Sequence, residues 1–532
     1  MGSVMPTPIS NTDVRVNEAG ELYARGNIEA SRHLCQQAIT SGATHPDLFH
    51  LMGLIDLDQG RADSAVEQVR RAVQADGSNP NYLNTLGVAL KSCGRFDEAA
   101  ACLRQALSLQ PEFPKAYNNL GLVLKAKGQP RRAVTCFRQA VKLEANFCQA
   151  HYSLGVALKQ MGRLDEAMAA FDRTLDLQPN HAGALNNCGG IHMLRGKVNR
   201  AIACFQKAVT LEPEFAMAWT NLAMAWFLKG DLSAAWPAYE WRFKIDRRAS
   251  IYPHEYDKPR WDGAALGHQT LLIHDEQGLG DTLQFIRYLP MVKARGGKIL
   301  FETRKSMITL LKDFPGIDSI VQRSESACAE SNFDLYIPLL SLPLIFKTTL
   351  QTIPQTIPYI VADKAKVDHW RRRIHSQGLR IGLAWAGNPT HHRDKERSLP
   401  VGALMPLMEI PNLKLYSLQE KFLPDPSQVL PEKLVIDNLG VELKDFADIA
   451  AAIASLDLVI AVDTAVVHLA GAMGKTVWTL LSYAADWRWG MKTNHSPWYP
   501  SMTLFRQKTA GDWKGVIDRV CRALGDLPAP FN

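Results

Sequence analysis

A spacing of 34 residues constrains the first half of this chain more than any other feature. Gly53, Gly87, Gly121, Gly155 and Gly189 are each 34 apart, and Gly60, Gly94, Gly128, Gly162, Gly196 and Gly230 form a second series at the same spacing. A fixed period near 34 means stacked helix pairs, each burying its apolar face on its neighbours.

Other positions follow the same register. Ala65, Ala99, Ala133, Ala167 and Ala201 stand twelve residues after the first glycines, where a Cβ-only side chain lets two helices approach closely. Val69, Leu103, Phe137, Phe171 and Phe205 follow four residues later and are expected to wedge between neighbouring units, while Pro111, Pro179 and Pro213 interrupt the chain after the second helix. The pattern resembles the tetratricopeptide repeat. A weaker unit marked by Ala19, Ser31 and Ala38 precedes it, and a divergent one marked by Ala223, Ala235 and Tyr239 closes it. About seven repeats are expected over residues 12–249, followed by a linker over 250–268.

At 532 residues, 46% hydrophobic and 21% charged, the chain can bury more than one core. A net charge of +7 without a basic tract of five or more favours an anionic small ligand over nucleic acid. The start, Met1 to Asn11, has no charged stretch leading into an apolar core, and no run of 18 apolar residues occurs, so the expectation is a cytoplasmic protein without a membrane span. None of the nine cysteines forms a Cys-x-x-Cys pair. Cys102, Cys136 and Cys204 share one repeat position and are expected to be buried packing thiols, consistent with a reducing compartment.

The first helices of such an array normally line a concave binding groove. Asn119, Asn187 and Asn221 recur two residues before the glycine position or its equivalent Ala223, with Thr85 and Ser153 in the intervening repeats. Carboxamides in register offer a donor and an acceptor each to the backbone of an extended peptide. The wording "AYNNLGLVLKAKGQ" looks like the repeats of O-linked N-acetylglucosamine transferases, which implies an asparagine ladder gripping an acceptor protein. Local capping by asparagine is the competing reading.

After Gly230 the helical period fades through Trp236, Tyr239, Trp241 and Phe243, a stretch expected to pack the last hairpin on the next domain. From Thr270 the pattern becomes "TLLIHDE", "QGLGD", "TLQFIRYLPMVKARG" and "KILFET"; after Gly378 it resumes with "RIGLAWAG", "LKLYSLQ", "DFADIAAAIASL", "DLVIAVD", "TAVVHLAGAMG" and "KTVWTLLS". Alternating strands and helices of this length predict parallel sheets covered on both faces, with ligands at the carboxyl ends of the strands. Two facing lobes are expected, at 269–377 and 378–510.

Common nucleotide motifs fail. Gly278-x-Gly280 lacks the third glycine of the dinucleotide fingerprint, because position 283 is Leu283. Gly474-Lys475-Thr476 lacks the first P-loop glycine, because position 469 is Leu469. Among the α/β segments there is no Asp-x-Asp to hold a divalent cation on a sugar nucleotide. His391 and His392 are adjacent with no third ligand in sight. No metal and no resident cofactor are expected.

The segments "EQGLGDTLQFIRYLP", "GLAWAGNPTHHRDKERSLP", "VIAVDTAVVHLAGAMGKTVW" and "DWRWGMKTNHSPWYPSMTLFRQ" resemble heptosyltransferase-like glycosyltransferases of the two-lobed GT-B fold. The whole chain is similar to bacterial proteins that fuse tetratricopeptide repeats to such a domain, some of which glycosylate flagellin. The fold class this implies is an N-terminal repeat α-solenoid followed by two Rossmann-like α/β lobes, with a C-terminal helix over 511–526 crossing back to the first lobe.

The resemblance assigns roles. Asp281 matches the proposed general base, and Gly278 and Gly280 would let backbone and substrate approach closely. As a plain reading, Asp281 is a helix cap. On the second lobe Asp463, Thr464 and Ala465 open a helix whose N-terminus would face a diphosphate, with Asp463 on sugar hydroxyls and His468 on a phosphate or ring oxygen. The family carries glycine where this chain has Ala465. Asn388 and Arg397, beside Arg393 and Lys395, would meet the leaving nucleotide, and Trp487, Trp489 and Trp498 either stack on it or pack beneath a loop. The implied activity is a metal-independent, inverting transfer from a nucleotide sugar to a protein, possible acceptors including flagellin, captured by the repeats. A lipid-linked glycan acceptor and a non-catalytic scaffold are the alternatives, and oligomerisation through the repeats stays open.

Overall fold

The structure is a computed structural model that describes residues 11–245, 256–323, 332–390, 393–419, 431 and 433–527. Two compact units share them. The first runs to Ile191 and takes in Thr210–Glu212; the second holds His192–Val209 and the chain from Pro213 onward.

The first unit is built of helices α1 (Asn11–Ala24) to α10 (Leu164–Leu177) and most of α11 (Ala182–Leu194). Pro46, Pro80, Pro114 and Pro130 each sit in the first turn of a helix, where the missing N–H costs nothing. Gly60, Gly94, Gly128 and Gly162 close the hairpins at φ of 72°, 73°, 70° and 73°, a left-handed backbone that glycine takes without strain. Gly26, at φ 80°, extends that series one unit earlier than the sequence reading placed it. The other glycines have a different cause. A Cβ on Gly53, Gly87, Gly121 or Gly155 would stand 2.2–2.6 Å from Val69, Leu103, Phe137 or Phe171. The expected wedge residues therefore fill the space over the glycine of their own hairpin. In the weak first unit Ser31 replaces the alanine and donates its buried hydroxyl to the Ala19 carbonyl at 2.8 Å.

The second unit begins with the end of the helical array: most of α12 (Val198–Leu211), then α13 (Ala216–Lys229), α14 (Leu232–Tyr239) and a 3-10 turn, Glu240–Lys244. The expected end at 249 lies outside the described residues. Two sheets follow, parallel throughout. The first comprises β1 (Gly267–His274), β2 (Gly296–Thr303), β3 (Ser319–Gln322) and β4 (Leu335–Pro338), in the order β3-β2-β1-β4. Its helices are α15 (Leu279–Phe285), α16 (Leu289–Lys293), α17 (Lys305–Leu311) and α18 (Leu342–Ile345). The second comprises β5 (Leu379–Ala384), β6 (Leu413–Ser417), β7 (Asp437–Asn438), β8 (Leu458–Val462), β9 (Val477–Leu481) and β10 (Met502–Arg506), in the order β10-β9-β8-β5-β6-β7. Its helices are α19 (Lys364–Arg373), α20 (Asp394–Arg397), α21 (Phe446–Ala454), α22 (Ala465–Ala472) and α23 (Trp513–Gly525).

Three boundaries differ from expectation. The stretch 256–266 is no free linker: Trp261 is buried and donates its amide to the Tyr336 carbonyl at 2.9 Å, adding an edge to β4. Helix α19 precedes the expected boundary at 378 yet belongs to the second lobe, since Lys366 pairs with Asp448 at 2.6 Å and Arg373 with Asp437 at 2.8 Å. Helix α23 does not cross back. Its apolar face, Trp513, Val516, Ile517, Val520 and Leu524, packs with Ile381, Leu383, Leu458 and Ile460 of the second sheet.

The lobes meet through α15 and α22, and the last repeat helices join the same core. Phe227 stacks on Trp487 with ring centroids 4.2 Å apart, and the Trp236 indole donates to the Thr348 carbonyl at 3.0 Å. Trp241 instead stacks on Trp219 of α13.

Candidate active site

Each sheet reverses its strand order beside a loop that carries an expected carboxylate. In the second sheet the reversal falls between β5 and β8; in the first it falls between β1 and β4. Crevices at the carboxyl ends of such strands are where open α/β sheets bind ligands.

Beyond β1 the chain runs through Asp275, Glu276 and Gln277 into α15, with Gln277 in the left-handed region at φ 59°. Three acids in this loop are each met by an arginine from a different element. Asp275 pairs with Arg323 and accepts the Thr303 hydroxyl at 2.7 Å. Glu276 accepts both ends of the Arg242 fork at 2.9 and 2.7 Å, and both groups are buried. Asp281 pairs with Arg488 of the second lobe through Oδ1, while its Oδ2 accepts the Gly278 amide at 2.8 Å. Burial lifts the Asp281 carboxyl above the usual range, although Arg488 and the Gly278 amide pull it down. Arg488 is itself fixed by Asp486 at 2.8 Å and by the Gln284 side-chain oxygen at 2.7 Å.

The two glycines separate in role. Gly278 caps α15 with an ordinary backbone. Gly280 was expected to admit substrate; in the structure it admits His468, whose Cδ2 would be 2.7 Å from a Cβ there. His468 is accordingly buried, with Nδ1 bonded to the Tyr499 hydroxyl at 3.0 Å. Burial and the charges of Arg488 and Arg287 hold it neutral. The donor contact expected of His468 is corrected to a packing position between the lobes, because its ring fills the space that Gly280 leaves.

Asp463 and Thr464 follow β8 directly. Asp463 is part-buried, and burial together with the neighbouring Asp486 carboxylate pushes it up to about 6. Thr464 offers no side-chain cap to α22, and its buried Oγ1 has no hydrogen-bond partner. That leaves the N-terminus of α22, starting at Ala465, without a side-chain cap. Arg397 reaches this loop, donating Nη1 to the Asp463 carbonyl at 3.3 Å while lying on Gly387. Asn388 is exposed and accepts the Thr390 amide at 3.0 Å, Arg393 is held by Glu396 and the Ala484 carbonyl, and Lys395 is exposed. His391 and His392 lie outside the described residues. Trp487, Trp489 and Trp498 are buried, so they pack beneath the loop surface. Among the described residues no group of His, Cys, Asp and Glu side chains is placed to hold a metal ion.

In the first unit the asparagines are already engaged. Asn119 donates to Asn84 at 2.9 Å; Asn187 accepts from Lys159 at 3.0 Å and donates to the Gly183 carbonyl at 2.9 Å. One amide hydrogen of Asn119 and both ends of the Asn187 carboxamide are thus engaged within the array. Asn221, on α13, belongs to the second unit and is part-buried. The signal missed in the sequence is cationic: Lys91, Lys125 and Lys159 stand 34 residues apart, half-buried at the ends of α5, α7 and α9. Burial lowers the Lys91 and Lys159 ammonium groups, and the charge of Lys125 lowers Lys91 further. Cys102, Cys136 and Cys204 are part-buried, not buried as expected. Arg488 was missed because pairing between residues 207 positions apart leaves no local pattern.

Comparison with known proteins agrees with this layout. Residues 441–514 match the family described as Glycosyltransferase family 9 (heptosyltransferase). Residues 87–128 match a TPR repeat model, and residues 121–182 and 192–240 a Tetratricopeptide repeat model. The chain therefore carries tetratricopeptide repeats together with a family 9 glycosyltransferase domain. It is 28% identical over 322 residues to Protein FlbA of Caulobacter vibrioides, covering 55% of this chain and 52% of that one, so it spans about half the length of this relative. Similar solved structures include MamA, 25% identical over 31% of this chain and 96% of its own at a TM-score of 0.28. Pseudomonas aeruginosa PilF is 20% identical over 39% of this chain and 94% of its own at 0.35. Among the described residues no helix is long and apolar enough to cross a membrane.

Proposed function

We propose that the second unit transfers a sugar from a nucleotide-sugar donor to a protein that the repeats recruit. The observation that carries this is the loop after β8: inside the family 9 segment, Asp463, the orphaned Thr464 hydroxyl and the N-terminus of α22 stand at the strand reversal, and Arg397, which precedes that segment, reaches the Asp463 carbonyl. Helix amides and a guanidinium are the groups that stabilise a departing diphosphate. Asp463 would hold sugar hydroxyls. Asp281, on the facing lobe, would take the proton of the acceptor hydroxyl while that oxygen attacks the anomeric carbon and the bond to the diphosphate breaks with inversion. Arg488 then has two positions to serve, holding Asp281 in the resting protein and yielding it when the acceptor arrives. No step in this scheme calls for a metal.

The half-buried Lys91, Lys125 and Lys159 favour an acceptor with acidic surface over a neutral glycan, and the resemblance makes flagellin a first candidate. The test is a melting-temperature screen of the full chain against ADP-, UDP-, GDP- and CMP-sugars, followed by intact-mass measurement of candidate acceptors incubated with the stabilising donor. A raised melting temperature and a mass gain of one sugar are expected. Absence of both across all donors removes the transferase reading. The Lys91→Glu/Lys125→Glu/Lys159→Glu protein should lose the mass gain but keep donor stabilisation; full modification by it removes capture by the repeats.

A further inference from the structure

The hairpin turns at Gly196–Arg200 and Phe227–Leu232 and the loop Trp487–Trp498 surround a cavity of about 840 Å³, all within the second unit. That size falls in the range of ligand pockets. Of the expected donor residues it takes in only the candidate stacking residues Trp487 and Trp498; Asn388, Arg397, Asp463, Thr464 and Ala465 lie outside it, so it is distinct from the loop after β8.

Its lining is one-sided in charge. Lys197, Arg200, Lys229, Arg488, Lys492 and His495 contribute to it, and no carboxylate does. Lys197, Arg200, Lys229 and Lys492 make no ion pair among the described residues. The floor is apolar: Phe227 stacked on Trp487, with Trp498 alongside, and the rim carries Leu350 and Met491, exposed at 39% and 38%. A large side chain with flanking negative charges matches this combination. The unpaired cations come from three separate segments of the chain, an arrangement that suits several spaced carboxylates. The cavity also borders the chemistry, because Arg488 lines it and pairs with Asp281.

We propose that this cavity anchors an acidic segment of the acceptor polypeptide, seating one aromatic or large aliphatic side chain against Phe227, Trp487 and Leu350 with flanking carboxylates on Lys197, Lys229 and Lys492. The inference rests on the protein-acceptor reading above and names the acceptor's chemistry.

The test uses the full chain and fluorescein-labelled nonapeptides read by anisotropy. One carries a phenylalanine flanked by Asp and Glu; the others replace the phenylalanine by alanine or the acids by lysine. The acidic phenylalanine peptide should bind at least about tenfold more tightly than either. Lys197→Glu/Lys492→Glu should weaken it at least about tenfold at an unchanged melting temperature. Leu350→Trp, which fills the rim without altering charge, should weaken it as well. Equal binding by the lysine peptide, unchanged binding by the charge-reversed protein, no binding at all, or displacement by stoichiometric pyrophosphate each overturns the proposal, the last by marking a small-anion site. Peptide capture without sugar transfer would leave the cavity standing and count against the transferase reading alone. Transfer at unchanged KM in the charge-reversed protein would count against the cavity alone.

Discussion

The two lobes present carboxylates at equivalent places, yet treat them oppositely. Around the end of β1, Asp275, Glu276 and Asp281 are each answered by an arginine, brought respectively from beyond β3, from the end of the repeats and from the second lobe. Around the end of β8, Asp463 has no cation at ion-pair distance among the described residues, and Arg397 touches only its backbone carbonyl. A paired carboxylate is fixed in place and charged. Without an ion pair, and with Trp489 and the charges of Arg488 and Arg397 offsetting its burial only in part, Asp463 is held at a cost that a ligand can relieve.

The largest effect should come from the paired side. Asp281→Asn keeps the shape and removes the base, so turnover should fall by ~10²- to 10⁴-fold with donor stabilisation intact; unchanged turnover would remove Asp281 as the base. Arg488→Met leaves Asp281 buried without its cation, with an expected loss of about 3–5 kcal/mol in chemical unfolding and an acid limb of the rate profile moved to higher pH. Gly280→Ala drives a methyl into His468 and should cost about 1–3 kcal/mol, whereas Gly278→Ala should cost less. Equal effects at the two glycines would show that the lobes slide apart freely.

Asp463 supplies the opposite sign. Its carboxyl titrates near 6 in the folded protein against 3.8 for an ordinary aspartate, so the folded state holds the extra proton between those values. Stability therefore falls as pH rises from about 4 through about 6, and above that the loss is complete. Asp463→Asn should melt higher than the parent at pH 7.5, by an amount on the order of 1–3 kcal/mol, and the same at pH 4. A variant that is less stable at pH 7.5 would show that Asp463 is paired after all, and the contrast between the lobes would vanish.

What was legible in the sequence tracks how local the cause is. Turn glycines at φ near +70° and glycines facing Phe137 or Phe171 depend on contacts inside one hairpin, so a period of 34 reported both. Strands β1, β2, β5, β6, β8 and β9 are readable as apolar runs, while β3, β4, β7 and β10, short or flanked by loops, are not. The sequence puts the end of the repeats at 249 with a linker after it, which would make the repeats separable by a cut near that point. The structure shows why they are not: Trp236, Tyr239 and Arg242 lie in the core of the second unit, so the cut would strip that core.

The sequence by itself determined the repeat register, the alternation of strand and helix and the two acidic loops, because each arises from neighbours a few residues or one fixed period apart. Only the tertiary structure decided that Arg488 answers Asp281, that Gly280 is shaped by His468 and that five Lys and Arg side chains share a cavity without a carboxylate. Those relations join residues that share no sequence period, and only the packed chain sets the distances on which charge and sterics act.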